Sequence, residues 1–316
     1  MRSVGVARPI AILLALLLCV QCGAGSTTTP TPGPDPTQPP GPNPNPNPNP
    51  QPIPSAPQVF AGAGDIAQCG ALDPARATAR LMDLAGGTVF ALGDQAYFSG
   101  TADEYRNCYD PTWGRFKSFT RPVPGNHEYE TAGAGPYFSY FGANAGPAGL
   151  GYYSFELGEN WHAVALNSNI DARDGSAQGA WLKADLEAFR NKRCTIAYWH
   201  HPLFSSGQNG PAAGMRDFWR ILFGAGAEIV LNGHDHLYER FGPQDPDGLP
   251  NPSRGIRQFT IGTGGAALYE FISRANNSEV RMKQFGVLKL TLNADSYDWQ
   301  FIPVTGPGDS GHGVCH

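Results

Sequence analysis

The chain has 316 residues, 41% of them hydrophobic, and a formal net charge of −5, enough for one large domain or two ordinary ones. A charge this small, with no basic tract interleaved with aromatics, indicates no nucleic-acid partner. Residues 1–24 read as a signal peptide: Arg2 and Arg8 supply positive charge, and Ile10 to Val20 is an apolar run too short to span a bilayer comfortably. Its removal implies a secreted, periplasmic or cell-surface protein with no remaining transmembrane span. Gln21 fits poorly with a lipid anchor on Cys22. Residues 25–57 are proline-rich, and alternating proline removes backbone donors and biases its neighbours toward extended geometry, so this segment is read as a disordered, semi-rigid spacer. Residues 58–316 would then form a single catalytic domain.

Within that domain, short apolar strands alternate with helical stretches. "QVFAGAGD" (58–65) predicts a strand ending in glycine and aspartate. Asp73 and Pro74 give an N-cap and a proline at the first helical position, and Gly86-Gly87 ends that helix. "TVFALGD" (88–94) is a second buried strand, and "RPVPGNHE" (121–128) a third extended segment stopping at Gly-Asn-His. "YYSFEL" and "WHAVALNS" flank Gly158-Glu159-Asn160 as a hairpin. The segment 177–190 predicts an amphipathic helix, "CTIAYWHHP" (194–202) a strand running into histidines, and "MRDFWRILFGAG" another helix. "AEIVLNG" then leads into "HDH" at 234–236. The remainder, including "RQFTIGTGG", "FGVLKLTL" and "SYDWQFIPV", is mostly strand. "GTGG" lacks the following lysine and helix of a phosphate cradle and reads as a turn.

This mixture predicts an α/β layered fold, with βαβ units early and antiparallel strands later. Ligands in such sheets gather at the carboxyl ends of strands. Five predicted strands end in polar groups: Asp65, Asp94, Asn126-His127, His200-His201 and His234-Asp235-His236. Five of the chain's eight histidines stand at these exits.

In order along the chain, "GDIA", "GDQAY", "GNHE", "YWHH" and "GHDH" resemble the five blocks of the calcineurin-like metallophosphoesterases, most nearly the purple acid phosphatase branch. The resemblance covers nearly all of residues 58–316. It implies a four-layer sandwich of two mixed β-sheets flanked by helices, with a dinuclear metal site at the strand ends. It also implies that Asp65, Asp94, Tyr97 and His236 hold a first metal, and that Asn126, His200 and His234 hold a second, with Asp94 bridging. Carboxylate and imidazole suit Fe, Zn and Mn, and a bridging carboxylate fixes two cations about 3.5–4 Å apart. Alternate residues of an extended turn point to opposite sides, so His234 and His236 can serve different metals, with Asp235 a spacer.

Many relatives carry a histidine two residues after the first aspartate. Here that residue is Ala67, and the Asp94-x-x-Tyr97 spacing matches the branch that uses a phenolate, a hard anionic ligand favouring Fe(III) beside a divalent Zn, Fe or Mn. His127 is the expected group for stabilising the phosphoryl or protonating the leaving oxygen. The plant-type enzymes place further histidines in the loop after His200, but "FSSGQNG" has none. No role is assigned to His162, His312 or His316.

The implied activity is hydrolysis of a small phosphomonoester by a metal-bound hydroxide. A phosphodiesterase with the same metals is the enzymatic alternative, and a surface-displayed binding protein the non-enzymatic one; no oligomeric state is implied. Four cysteines remain beyond the leader, and of their three possible connectivities Cys69–Cys108 and Cys194–Cys315 are expected.

Overall fold

A computed structural model describes residues 56–316; the leader over 1–24 and nearly all of the spacer over 25–57 lie outside the described residues. The central strands bury both faces, with side chains alternating between two cores. In β8 (Cys194–Tyr198) and β9 (Ile229–Asn232), Ile196, Tyr198, Ile229 and Leu231 join one apolar core, while Ala197 and Val230, with Trp199 just after β8, join a second on the other face. That second core is closed by Leu182 and Leu186 of α5 (Ala177–Ala188) and by Phe218, Trp219 and Leu222 of α6 (Arg216–Ala225).

Two sheets enclose the first core. One has the order β15–β14–β13–β1–β3–β5: β15 (Asp309–Val314), β14 (Ser296–Pro303), β13 (Gly286–Leu292), β1 (Gln58–Ala63), β3 (Thr88–Leu92) and β5 (Thr120–Val123). The other runs β12–β10–β11–β9–β8–β7–β6, adding β12 (Ser278–Met282), β10 (Tyr238–Phe241), β11 (Arg257–Ile261), β7 (Trp161–Ala165) and β6 (Tyr153–Leu157). The Phe60 and Tyr198 rings meet edge to face at 5.6 Å, joining β1 of one sheet to β8 of the other. Helix α1 (Asp73–Ala85) packs on β1 and β13 through Ala75, Ala79 and Met82. The fold is therefore the expected α/β arrangement of mixed sheets flanked by helices.

Parallel pairs β1–β3, β3–β5, β7–β8 and β8–β9 bring six strand ends to one edge of the sandwich, five of them, all but that of β7, leading into the candidate ligands. A parallel ribbon of β2 (Ala67–Gln68) and β4 (Ala96–Tyr97) continues that edge, followed by α2 (Ala102–Glu104), α3 (Asn126–Tyr129) and α4 (Gly135–Phe141). The expected hairpin is β6–β7. Asp73 differs from expectation: it is the first helical residue, and its carboxylate accepts from Arg76 at 3.0 Å instead of capping the helix.

Both expected disulfides are present, Cys69–Cys108 and Cys194–Cys315, with Cα separations of 5.4 and 5.6 Å. The first ties the chain after β2 to the segment after α2, and the second ties the C-terminal tail to the start of β8. Closing loops of 39 and 121 residues removes denatured-state entropy worth about 4 and about 5 kcal/mol in the chain-entropy treatment. Among the described residues, no helix is long and apolar enough to cross a membrane.

Candidate metal centre

Each strand exit turns sharply to present its side chain. Asp65, Asp94 and His234 adopt φ of +60°, +51° and +70°, a region non-glycine residues enter at a cost and that concentrates at functional sites. The turns pack so closely that a Cβ on Gly125 would lie 2.0 Å from Asp94 Oδ1, and one on Gly93 (φ +86°) 2.4 Å from His200 Nδ1. These glycines let two sheets' worth of ligand-bearing turns share one small volume.

The seven residues expected to bind metal are brought together. Tyr97 Oη lies 2.8 Å from Asp65 Oδ1, 3.2 Å from Asp94 Oδ2 and 3.0 Å from His236 Nε2. His236 Nε2 is also 3.1 Å from Asp65 Oδ1, while its Nδ1 donates to the Ala267 carbonyl at 2.7 Å. On the other side, His200 Nδ1 donates to the Leu92 carbonyl at 2.7 Å. Its Nε2 then faces Asp94 Oδ2 at 3.1 Å, Asn126 Oδ1 at 3.1 Å and His234 Nδ1 at 3.2 Å. Asp94 thus touches both groups.

Counting protons tests whether this set fits cations. Once Leu92 and Ala267 have taken the Nδ1 protons, the neutral imidazoles of His200 and His236 offer lone pairs at Nε2. Those lone pairs face carboxylate oxygens, an amide oxygen and another imidazole, with the Tyr97 hydroxyl the one donor that is certain. Buried acceptors facing acceptors are costly unless a proton or a cation lies between them. The donor set, oxygen and imidazole nitrogen with one phenol, suits transition-metal cations.

The titration of these groups reflects the same strain. Burial disfavours a charged His200 imidazole, yet Asp94 beside it and Asp65 push it up to about 9. Burial and the neighbouring His200 push His234 down to about 3, leaving it an acceptor. Burial would raise the Asp65 carboxyl, but His236, His200 and the Tyr97 hydroxyl hold it well below the usual range. Burial, Asp65 and Asp94 raise the Tyr97 hydroxyl well above its ordinary value, so a phenolate here requires the charge of a cation.

His127 stands beside the cluster. Its backbone N–H donates to Asp94 Oδ1 at 2.9 Å, its Nδ1 meets the Phe98 carbonyl at 2.5 Å, and its Nε2 is 3.8 Å from Asp94 Oδ2. Its ring packs on Tyr97 at 4.5 Å between centroids.

Three residues outside the expected set hold the site together. Glu128 is fully buried; its Oε2 accepts from the backbone N–H groups of Asp94 and Gly125, both at 2.8 Å, and its Oε1 from that of Gln95 at 2.9 Å and from the Tyr105 hydroxyl at 3.2 Å. It therefore links the exit after β5 to Asp94 and Gln95, 34 and 33 residues before it in sequence. Asp235 proves more than a spacer: buried, it accepts from Ser205 Oγ and from the Asn209 backbone at 2.9 Å, clamping the loop after His200 beneath the turn. His201 lies within reach of the second position, its ring 4.3 Å from that of His234 and its Nδ1 2.8 Å from Ser168 Oγ. Burial, then His200 and His234, depress its imidazole to about 2. The acidic residue within "GNHE" and the one inside "HDH" were the available signals, but their partners are distant in sequence. "GTGG" is an irregular segment rather than a hydrogen-bonded turn, with the Gly262 and Gly264 N–H groups donating to the Leu237 and Gly64 carbonyls and Thr263 to the Gly286 carbonyl at 2.8 Å.

With this geometry, the chain belongs to the calcineurin-like phosphoesterase family, whose model matches residues 51–238. Within that family it is similar to plant purple acid phosphatases. Purple acid phosphatase 15 of Arabidopsis thaliana is 31% identical over 189 residues, covering 48% of this chain and 35% of that protein. Purple acid phosphatase 18 of the same plant is 36% identical over 119 residues, covering 36% of this chain and 26% of that protein. The chain thus spans roughly a third or less of the length of these relatives. The fold is like that of the purple acid phosphatase PPD1 from yellow lupin seeds, with a TM-score of 0.69 over 82% of this chain and 54% of that one, at 19% identity.

Proposed function

We propose that the chain is an exported, two-metal phosphoesterase that hydrolyses phosphomonoesters of small molecules. The observation that carries this reading is the convergence of His200 Nε2, His234 Nδ1, Asn126 Oδ1 and Asp94 Oδ2 on one point, beside a second convergence of Asp65, Tyr97 and His236. The four carried-over groups Asp65, Asp94, Tyr97 and His236 would hold one cation, and Asp94, Asn126, His200 and His234 the other. Bound cations would supply Lewis acidity, polarising the phosphoryl oxygens and lowering the pKa of a coordinated water. Tyr97, as phenolate, favours Fe(III) at the first position, paired with a divalent Zn, Fe or Mn.

The chain's own residues do the rest. Asp94 is held by Glu128 through its backbone and by His127 through its carboxylate, which fixes the shared ligand before substrate arrives. When it carries both ring protons, His127 donates a hydrogen bond from Nδ1–H to the Phe98 carbonyl and keeps Nε2–H for the leaving oxygen. The attacking water gives one proton to solvent as its oxygen bonds to phosphorus, the ester P–O bond breaks, and the His127 Nε2 proton passes to the departing alkoxide; solvent then reprotonates His127. The products are an alcohol and inorganic phosphate. Export rests on the leader and spacer read in the sequence, and it agrees with two disulfides in the folded domain.

The test is turnover of p-nitrophenyl phosphate and bis(p-nitrophenyl) phosphate alongside metal analysis. The reading expects two metal equivalents and faster monoester hydrolysis. Faster diester hydrolysis would assign a phosphodiesterase, and bound metal with no turnover of either ester would leave the binding-protein alternative.

A further inference from the structure

We propose that Phe98 is a specificity-determining platform that makes this site prefer phosphate monoesters whose leaving group carries an aromatic ring. The inference rests on the phosphoesterase reading and names a substrate class for it. Phe98 is the residue next to the ligand Tyr97, yet its exposure is 57% where that of Tyr97 is 2%. Scattered exposed apolar side chains are ordinary. This one differs because its own main chain belongs to the site.

The Phe98 carbonyl receives His127 Nδ1 at 2.5 Å, so the phenylalanine backbone orients the group assigned to the leaving oxygen. A leaving oxygen within hydrogen-bond reach of His127 Nε2 must carry its substituent outward past the rim of the cluster. Phe98, exposed and holding His127 through its carbonyl, is placed to meet that substituent. Its ring and that of Tyr97 stand nearly perpendicular, at 6.1 Å and 83°, a contact that covers at most one face of Phe98 and leaves the other available to a further ring.

The platform is also rigid. The Phe98 backbone N–H donates to the Glu104 carboxylate, which further accepts from the Ser99 N–H at 3.1 Å, the Thr101 N–H at 2.9 Å and the Thr101 hydroxyl at 2.9 Å. Thr131 Oγ1 donates to the Ser99 carbonyl at 2.7 Å. A Cβ on Gly100 would meet Glu128 Cα at 2.7 Å, so the next turn is seated on α3. An aromatic side chain on a backbone already fixed loses little further freedom when a ring stacks on it.

Phenylphosphonate and methylphosphonate are non-hydrolysable probes that differ in the ring alone. Calorimetric Kd values are to be measured for both on the metal-loaded full-length protein, as wild type, Phe98→Ala and Phe98→Trp, with kcat/KM for phenyl phosphate and glycerol 2-phosphate in parallel. Phe98→Ala should weaken phenylphosphonate by about 3–10-fold, the range of a single aromatic pair, and change methylphosphonate by less than about 2-fold. Phe98→Trp should restore the selectivity. The phenyl phosphate loss should fall mainly in KM. Equal weakening of both phosphonates, an unchanged ratio, or no phosphonate binding at all overturns the proposal. Selective phosphonate binding with no turnover of either ester would instead remove the hydrolytic reading and leave the platform standing.

Discussion

His162 and His200 are buried histidines at or near strand ends of one sheet, His200 paired with the half-buried His234, and their surroundings are opposite. His162 has a carboxylate at each ring nitrogen, Glu156 Oε1 at 2.9 Å and Asp185 Oδ2 at 2.7 Å, and its ring stacks on Phe189. Asp185 is further matched by Ser154, and Glu156 by Lys192. Protonated, the ring gives two donors to two acceptors, and nothing is left over. At the strand exits, His200 spends its one fixed proton on Leu92, and its other nitrogen meets three acceptors. A buried histidine whose two protons match two carboxylates is structural, and one whose second nitrogen faces three acceptors with a single proton to share among them is poised for a cation.

The comparison breaks most readily through the ligands. His234→Ala and Asn126→Ala should each lose bound metal and lower turnover by at least ~10²–10³, the scale of deleting one charge-stabilising group at a reacting centre. His162→Ala should leave metal content unchanged. His127→Ala sharpens the boundary between ligation and chemistry: metals stay, while turnover falls by roughly two to four orders of magnitude. A His127→Ala protein that purifies without metal would move His127 among the ligands.

Stability provides the reverse contrast. Removing the His162 ring leaves the buried Asp185 with Ser154 as its remaining partner, while the more exposed Glu156 keeps Lys192, a loss of about 1–3 kcal/mol visible as a lowered Tm. Burial disfavours the charged ring, but the hydrogen bonds from Asp185 and Glu156 outweigh it and raise the His162 pKa above 6.5. A histidine raised in this way contributes its stability fully below its unfolded value and loses it as pH rises through the folded one. The Tm difference between wild type and His162→Ala should therefore shrink from pH 6 upward. A difference that grew with pH would contradict the ion triad.

The smallest effect is expected at Tyr97. Tyr97→Phe keeps the ring packed on His127 and removes only the oxygen, so Asp65, Asp94 and His236 remain and some activity should survive. If the phenolate binds Fe(III), the wild-type protein has a visible charge-transfer band and the variant loses it. A band that survives the substitution would make Tyr97 a packed aromatic.

What could be read in the sequence was what local chemistry announces. Apolar runs ending in glycine and a polar residue marked β1, β3, β5 and β9, a run into His200-His201 marked β8, and the order of those exits carried the candidate ligands. Long-range partners were not legible: nothing near Glu128 announces that it will hold Asp94, and nothing near Asp235 that it will clamp Ser205 and Asn209. Strand β15, "DSGHGV", was also unreadable, because glycine disfavours strands. In the fold, Gly311 lies opposite Trp299 and Gly313 opposite Tyr297, and those rings fill the space where a Cβ would stand, at 2.2 and 2.3 Å. Aromatic cover from β14 supplies what the strand's own side chains lack.

Anomalous X-ray diffraction from crystals of the protein purified as expressed tests the central claim most directly. Two peaks about 3.5–4 Å apart are predicted, the separation of cations bridged by one carboxylate. One should be bounded by Asp65, Asp94, Tyr97 and His236, the other by Asp94, Asn126, His200 and His234. Absence of both peaks, or a lone peak held by His200, His201 and His234 without Asp94, would contradict the two-metal centre.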